Sequence, residues 1–234
     1  MISVVAPVYN ERENLRPLVD ELLRVLRAVE PFEVVLVDDG STDGSSELID
    51  TLSREHPHVR GIHLKMNSGQ SAAFDAGFKH AKGSIVVTID ADLQNDPADI
   101  PALLAALQGH DAAVGFRVKR NDTTVRRWSS KIANAVRNRL SGDDIIDTGC
   151  SLKAFRVEPL REIKLWNGMH RFLPTLMRID GRSVVQVPVG HRPRMRGRSK
   201  YGVWNRVFRS SADLLAVRWM KSRHLGYEVE RRDP

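Results

Sequence analysis

Two aspartates separated by a single residue, Asp90 and Asp92, follow the apolar run of residues 84–89 and offer the clearest chemistry in the sequence. An apolar run of this length, preceded by Gly83, is typical of a buried parallel strand. Residues two apart in an extended segment point the same way, so both carboxylates can face one cation. Oxygen ligands suit Mg²⁺ or Mn²⁺. The pattern predicts a metal site at a sheet's carboxyl edge, with open positions for a diphosphate.

Three more polar segments follow predicted strands, so their side chains are expected at the same edge of the sheet. Tyr9 offers a ring face to a base, and Glu11 offers an acceptor to a ribose hydroxyl. Asp39 can accept a hydrogen bond from a base or ribose, and Gly69 allows close backbone approach where a helix begins. Each segment alone also fits a β–α turn, a helix cap or a simple loop, but their ordered occurrence favours a nucleotide site. The segments are residues 7–11, 38–41 and 67–70, and Gln94 adds a neutral oxygen beside the aspartate pair.

Strand and helix patterns alternate through the first half of the chain, which predicts a doubly wound, mostly parallel α/β sheet. Strands are predicted at residues 2–8, 32–37, 59–64, 84–89 and 112–116. Helices are predicted at 14–29, at 69–81, from Pro97 to 108, and after Thr42 or Asp43 as a cap. Beyond Arg117 the patterns predict a basic helix at 123–140, a strand at 147–155, a helix at 171–179, a strand at 183–187, a basic loop at 191–202 and a helix at 203–220.

Composition favours one domain with a C-terminal extension. The 234 residues are 41% hydrophobic, which is ordinary for a globular protein. The single cysteine, Cys150, excludes an intramolecular disulfide and a multi-cysteine metal site. The first ten residues resemble a strand rather than a signal peptide, and no apolar run approaches the roughly 20 residues that span a bilayer. We therefore expect a cytoplasmic protein with at most peripheral membrane association.

The net charge of +7 is concentrated near the C-terminus. Residues 191–223 contain ten Lys and Arg against Asp213 alone, which gives +9 for that segment. A nucleic-acid-binding protein usually spreads its basic residues over more of the fold, so a local role is favoured and no nucleic-acid partner is expected. No Gly-x-Gly-x-x-Gly follows the first strand, which argues against a dinucleotide oxidoreductase.

The ordered motifs resemble those of family 2 glycosyltransferases with the GT-A fold. The resemblance is carried by Val-Val-Ala-Pro-Val-Tyr-Asn-Glu, Val-Asp-Asp-Gly-Ser-Thr-Asp and Asp-Ala-Asp-Leu-Gln. Val-Gly-Phe-Arg (114–117), Asp-Thr-Gly-Cys-Ser-Leu-Lys (147–153) and the basic motif from His191 to Gly202 are similar to the polyprenyl-phosphate branch, such as dolichyl-phosphate mannose synthases and bacterial undecaprenyl-phosphate sugar transferases. The resemblance covers residues 2 to about 221. It implies a catalytic domain at 1–190 and a basic acceptor loop with an amphipathic helix at 191–234.

The resemblance also implies roles for individual residues, and we predict catalytic functions for Asp92, Asp147 and Arg117. Pro7, Tyr9, Glu11, Asp39, Gln70, Asp90, Ala91 and Asp92 would bind the nucleotide sugar. Asp90, Asp92 and Gln94 would bind Mg²⁺ or Mn²⁺. Arg117, Arg127, Arg194, Arg198 and Lys200 would bind donor and acceptor phosphates. A phosphate acceptor, with a second pKa of about 6, is already ionised at pH 7, so Asp147 is expected to orient groups more than to act as a base.

The implied reaction is inverting, metal-dependent transfer of a sugar to a polyprenyl phosphate. GDP-mannose is the favoured donor and UDP-sugars stay open. The alternatives are a soluble glycan or lipid headgroup as acceptor, and, remotely, a basic nucleic-acid or membrane-binding module. Trp204, Phe208 and Trp219 in the last helix resemble an interfacial segment that seats on anionic lipid, and a membrane-protein partner stays open. The alternative is that these aromatic residues pack on the catalytic core.

Overall fold

The computed structural model describes residues 1–29, 31–118, 144–163, 166–193 and 203–225, with side chains of the last helix described from residue 212. Arg127, Arg194, Arg198 and Lys200, and the helix predicted at 123–140, lie outside these residues. The strands are β1 (Ile2–Val8), β2 (Phe32–Asp38), β3 (Val59–His63), β4 (Ile85–Thr88), β5 (Ala112–Arg117), β6 (Lys153–Arg156) and β7 (Val184–Val189). The α-helices are α1 (Arg12–Leu26), α2 (Ser45–Glu55), α3 (Gln70–His80), α4 (Ile100–Ala106), α5 (Val157–Glu162), α6 (Leu173–Ile179) and α7 (Val203–Ser222).

The described strands form a seven-stranded sheet in the order β3-β2-β1-β4-β6-β5-β7. β1 pairs in parallel with β2 and β4, β2 with β3, and β5 with β7. Only β6 is antiparallel to its neighbours, β4 and β5. The predicted mostly parallel α/β fold is confirmed. Because β1, β2, β3 and β4 run the same way, the segments after them meet at one edge of the sheet.

Helices cover both faces of the sheet, which explains why its central strands are apolar on both sides. On one face α1, α2 and α4 pack on alternate strand residues such as Val4 and Leu36. On the other face α3, α5, α6 and α7 pack on the intervening residues such as Val5 and Val35. α3 lies especially close to β1, because a Cβ at Gly77 would fall 2.3 Å from Val5 Cγ1.

Three predicted boundaries were wrong for local reasons. The strand predicted at 147–155 is confined to Lys153–Arg156, because Asp147 begins a turn in which its carboxylate accepts a hydrogen bond from the Gly149 amide at 3.1 Å. The helix after β2 begins beyond Gly44, which adopts a left-handed φ of 87°, so neither Thr42 nor Asp43 is its cap residue. The helix predicted from Pro97 begins as a 3₁₀ turn, Pro97–Asp99, and becomes α-helical at Ile100.

Candidate active site

The aspartate pair lies just beyond β4, held by hydrogen bonds on both sides. Gln70, the first residue of α3, donates from Nε2 to Asp90 Oδ1 at 2.7 Å. The Gln94 amide donates to Asp92 Oδ1 at 3.2 Å, across Leu93, whose φ of 61° is left-handed. A non-glycine residue in this conformation is uncommon and costs free energy that the surrounding structure must offset. The chain therefore bends sharply at Leu93, and this bend brings the backbone of Gln94 back to Asp92.

The two carboxylates resist carrying their charges together. Burial raises the pKa of Asp90 to about 6, and the charge of Asp92 adds to the rise, although Ser151, Lys153 and Arg117 oppose it. A divalent cation would relieve both causes, so the pair fits the predicted metal. Among the described residues no group of three or more His, Cys, Asp or Glu could hold a metal ion.

The Asp39 carboxylate organises the loop that leads into α3. It is buried and accepts hydrogen bonds from the amides of Ser68 at 2.7 Å and Gly69 at 2.9 Å, and from Asn67 Nδ2 at 3.0 Å. Burial raises the pKa of Asp39, while the Ser68 and Gly69 amides act in the opposite direction. Since Gln70 follows this loop directly, Asp39 is linked through α3 to Asp90. The structure thus brings together two segments that the sequence placed separately.

The segment after β1 is tied to the segment after β2. Asn10, with a left-handed φ of 52°, donates from its amide to Ser41 Oγ at 2.9 Å and accepts from the Thr42 amide at 2.7 Å. The Glu11 amide donates to Ser45 Oγ at 3.2 Å, and Glu11 Oε2 accepts from Asn14 Nδ2 at 2.6 Å. Pro7 and Tyr9, in the same segment, are half-buried. All three predicted nucleotide segments therefore belong to one hydrogen-bonded edge.

Arg117 and Asp147 form a partly buried ion pair next to this edge. Arg117 Nε donates to Asp147 Oδ2 at 2.6 Å, and Nη2 donates to Oδ1 at 2.9 Å. Their side chains are only 16% and 10% exposed. A Cβ at Gly149 would lie 3.1 Å from Arg117 Nη2, so the turn after Asp147 closes over the guanidinium. Both oxygens of Asp147 accept hydrogen bonds from Arg117, an arrangement that suits an orienting group better than a free base.

A cavity of about 110 Å³ beside Asp90 is lined by charged and polar residues that were not among the predicted site residues. Lys153 and His170 line it, together with Arg171 and the turn residues 148–151. Ser71 Oγ and His170 Nδ1 are hydrogen-bonded at 2.8 Å. Burial, with help from Arg171 and Lys153, lowers the pKa of His170 to about 3, so its imidazole is neutral at neutral pH. The available signal was Lys153 itself, a charged residue directly between the apolar residues Leu152 and Ala154.

Of the Arg and Lys residues in the predicted basic loop, Arg192 is the one that lies within the described part of the chain. Its amide donates to the Gln94 carbonyl at 2.8 Å. Its guanidinium pairs with Glu21 and Asp96, each at 2.7 Å. The start of the basic segment is thus attached to the loop that carries the candidate metal ligands.

The described part of α7 buries one face and leaves another, partly apolar face exposed. Leu214 and Val217 are buried, whereas Leu215 and Trp219 are 61% and 63% exposed. The alternative in which Trp219 packs on the catalytic core is therefore wrong, while Trp204 and Phe208 lie outside the described side chains. Cations flank the exposed residues on the same helix, since Arg218 and Lys221 are also exposed. No helix within the described ranges combines the length and apolar character that crossing a bilayer requires.

Comparison with known proteins identifies relatives over most of the chain. The family model described as Glycosyl transferase family 2 matches residues 3–164. An undecaprenyl-phosphate 4-deoxy-4-formamido-L-arabinose transferase from Aeromonas hydrophila is 40% identical over 213 residues, covering 88% of this chain and 64% of that protein. A dodecaprenyl-phosphate galacturonate synthase from Rhizobium johnstonii is 37% identical over 225 residues, covering 92% and 66%. The chain thus spans somewhat under two thirds of the length of these relatives.

Solved structures share the fold. Glucosyl-3-phosphoglycerate synthase from Mycobacterium tuberculosis, in complex with Mn²⁺, UDP-glucose and phosphoglyceric acid, superposes with a TM-score of 0.73 at 19% identity, covering 97% of this chain and 81% of that one. A mannosyltransferase from Pyrobaculum calidifontis, in complex with GDP-mannose and Mn²⁺, gives a TM-score of 0.66 at 23% identity, covering 97% and 65%. The predicted GT-A architecture is confirmed by these likenesses and by the strand order.

Proposed function

Because the chain belongs to glycosyl transferase family 2, we propose that it transfers a sugar from a nucleotide sugar to the phosphate of a membrane polyprenol. The observation that carries the proposal is the Asp90–Asp92 pair, which hydrogen bonds join to the nucleotide segments at one sheet edge. The names of the relatives, which act on undecaprenyl and dodecaprenyl phosphate, support the acceptor class. The catalytic domain is residues 1–190, followed by the acceptor segment at 191–234.

In the proposed site the nucleotide sugar lies along the edge formed after β1, β2 and β4. Pro7, Tyr9, Glu11 and Asp39 contact the nucleoside, and Gln70 and Ala91 border the sugar diphosphate. Asp90, Asp92 and Gln94 hold Mg²⁺ or Mn²⁺, which when bound neutralises charge on the departing diphosphate. The buried Asp39 network fixes the loop before α3, so the donor meets a preformed surface rather than one that must be ordered on binding.

The proposed reaction is one inverting displacement. An oxygen of the acceptor phosphate forms a bond to the anomeric carbon as the bond from that carbon to the nucleotide diphosphate breaks. The acceptor is already ionised near neutral pH, so no side chain must remove its proton. Asp147 holds Arg117 in place through two hydrogen bonds, and Arg117 with Arg127, Arg194, Arg198 and Lys200 balances the phosphate charges. Catalysis then rests on positioning and charge stabilisation.

We also propose that the protein associates peripherally with the cytoplasmic face of a membrane, with a membrane-protein partner as a further expectation. The exposed Leu215 and Trp219 beside Arg218 and Lys221 support this placement. An amphipathic surface that combines apolar and cationic side chains seats on anionic lipid headgroups. Such a position would present the sheet edge to acceptor phosphates at the membrane surface.

The test is transfer by the purified protein. It is incubated with Mn²⁺ or Mg²⁺, a panel of GDP-sugars and UDP-sugars, and a short polyprenyl phosphate, and the glycosylated lipid phosphate is sought by mass spectrometry. A product from one donor identifies the sugar and base, with GDP-mannose and UDP-sugars as the first candidates. Transfer that ignores added polyprenyl phosphate and labels a soluble glycan would refute the acceptor assignment.

Asp92→Ala is the companion variant. It should abolish transfer while leaving the circular dichroism spectrum unchanged, because Asp92, although only 8% exposed, lies in the turn just beyond β4 and in no strand or helix. Asp20→Ala, at an exposed position on α1, is the matched control for loss of one aspartate. Full activity of the Asp92 variant would remove the metal assignment.

A further inference from the structure

The cavity beside Asp90 lies next to the proposed donor site and shares only part of its residues. Its walls are the first turns of α3, the turn at 148–151 and the segment from His170 to Leu173. Of the proposed donor residues it includes only Asp90 and Gln70; Tyr9, Asp39 and Asp92 do not line it. Its volume of about 110 Å³ well exceeds the roughly 15 Å³ that a single water needs. There is therefore room for a small polar group next to the reacting centre.

Lys153 is a basic residue in the cavity wall with few close polar contacts among the described residues. The residue is only 3% exposed and lines the cavity wall. Its ammonium group has three N–H donors, yet the hydrogen bond it makes is a long one, 3.4 Å, to the neutral carbonyl of His170. Within the described ranges no carboxylate oxygen lies within 4.0 Å of the Lys153 nitrogen, the distance at which an ion pair would form. A buried charge without a close partner is costly, and burial accordingly lowers the pKa of Lys153, although Asp90 and Asp147 act in the opposite direction. An anion brought by a ligand would offset that cost.

A cation bound at Asp90 would leave this corner of the site electropositive. Asp147 is occupied by its two hydrogen bonds to Arg117, so that pair contributes little net charge. His170 is neutral near pH 7, because burial lowers its pKa to about 3. Lys153 and Asp90 then line the cavity with opposite charges, and a bound cation would offset the charge of Asp90. A divalent cation at Asp90 would make the cavity still more attractive to an anion.

We propose that this cavity is the subsite for the phosphate group of the acceptor, with Lys153 as the residue that holds it. The inference rests on the proposed function, because in that function a phosphate acceptor brings a second anion beside a donor diphosphate that already has its own site. The cavity contacts the Asp90 side of the aspartate pair and not Asp92 or Gln94, so an anion there lies beside the donor's metal site rather than on it. Ser71, bonded to His170 and to the Gly168 amide at 2.9 Å, keeps the opposite wall in place.

Binding rather than turnover provides the primary test. Farnesyl phosphate, inorganic phosphate and UDP with Mn²⁺ are each titrated by calorimetry into the wild-type chain and into Lys153→Met. Methionine preserves length and volume but removes the charge, so the core should accept it. We expect at least a tenfold loss of affinity for both phosphate ligands, with UDP–Mn²⁺ affinity unchanged within about twofold. Lys153→Arg should retain most phosphate binding, and Lys79→Met, an exposed lysine on α3, should bind like the wild type.

Three binding results would decide against the inference. Loss of UDP–Mn²⁺ binding with intact phosphate binding would assign Lys153 to the donor, and unchanged affinity for all three ligands would make it structural. Failure of the wild-type chain to bind either phosphate ligand would also overturn the subsite. If Lys153→Met does not fold, Lys153→Gln takes its place, with the same criteria. If phosphate binding depends on Lys153 but no polyprenyl phosphate is glycosylated, the proposed function fails while the anion site stands.

Discussion

Replacing Asp90 with asparagine should make the metal-free protein more stable while abolishing its activity. Asp90 has an ordinary pKa of 3.8 in the unfolded chain and a pKa of about 6 in the folded protein, because of burial and the nearby charge of Asp92. Asparagine keeps an oxygen that can accept the 2.7 Å hydrogen bond from Gln70 and carries no charge at any pH. The substitution thus removes the ionisation that the fold disfavours.

The sign and size of the effect follow from proton linkage. Between pH 3.8 and about 6 the folded state holds a proton on Asp90 that the unfolded state has released, so stability falls as pH rises through this window. Above the window the penalty is constant. A difference of about two pH units corresponds to about 3 kcal/mol, and this is an upper value because part of the Asp90 surface remains accessible to water. For a chain of this size the gain in Asp90→Asn is at most about 6–12 °C in Tm.

The assay is thermal unfolding in EDTA at several pH values. Asp90→Asn should unfold at a higher temperature than the wild type at pH 7.5, and the advantage should vanish below about pH 4. Adding Mn²⁺ should stabilise the wild type and leave Asp90→Asn unchanged, since only the wild type binds the ion. Asp20→Asn controls for the loss of one exposed carboxylate. A variant that is no more stable than the wild type at pH 7.5 in EDTA would refute the assignment of strain to this carboxylate.

Two further substitutions test the supports of the site. Arg117→Met should cost about 3–5 kcal/mol in urea unfolding by stranding the Asp147 charge, whereas the double variant Arg117→Met/Asp147→Leu should cost clearly less than the Arg117→Met and Asp147→Leu costs added together; a double cost equal to that sum would mean that the pair is not coupled. Gly40→Ala should weaken binding of UDP with Mn²⁺ at least tenfold, because its φ is +69° and the new Cβ would fall 2.5 Å from the Asn67 amide nitrogen, displacing the loop that Asp39 orders. Retained nucleotide affinity in that variant would separate the loop from the donor site.

The sheet and its polar edge could be predicted from sequence because each strand is buried on both faces. Such strands appear as short apolar runs bounded by turn residues, and parallel neighbours bring their carboxyl ends to one edge. The segments after β1, β2 and β4 follow from this rule alone. What the rule could not give is how they are joined, since the hydrogen bond from Gln70 to Asp90 depends on the position of α3 across the sheet.

Other features depend on tertiary contacts that local patterns do not encode. The strand predicted from residue 147 begins only at Lys153, because the Asp147 carboxylate accepts a hydrogen bond from the Gly149 amide and holds this segment in a turn. The sequence left open whether Trp219 faces lipid or the catalytic core, because the apolar residues of α7 form more than one stripe, and only the packing surface selects Leu214 and Val217 for burial. Periodicity indicates that a helix has an apolar face without saying which face meets the sheet.

The charges near Asp90 have a consequence for the order of binding. Lys153 is buried and Asp90 is partly buried, and each would be stabilised by an oppositely charged ligand, an anion for Lys153 and a cation for Asp90. Once a divalent cation neutralises Asp90, the field at Lys153 becomes more positive and the affinity of the cavity for phosphate rises. Because coupling between two ligands is reciprocal, phosphate in the cavity must also strengthen cation binding. The same arrangement that destabilises the empty site therefore favours its being filled by donor and acceptor together.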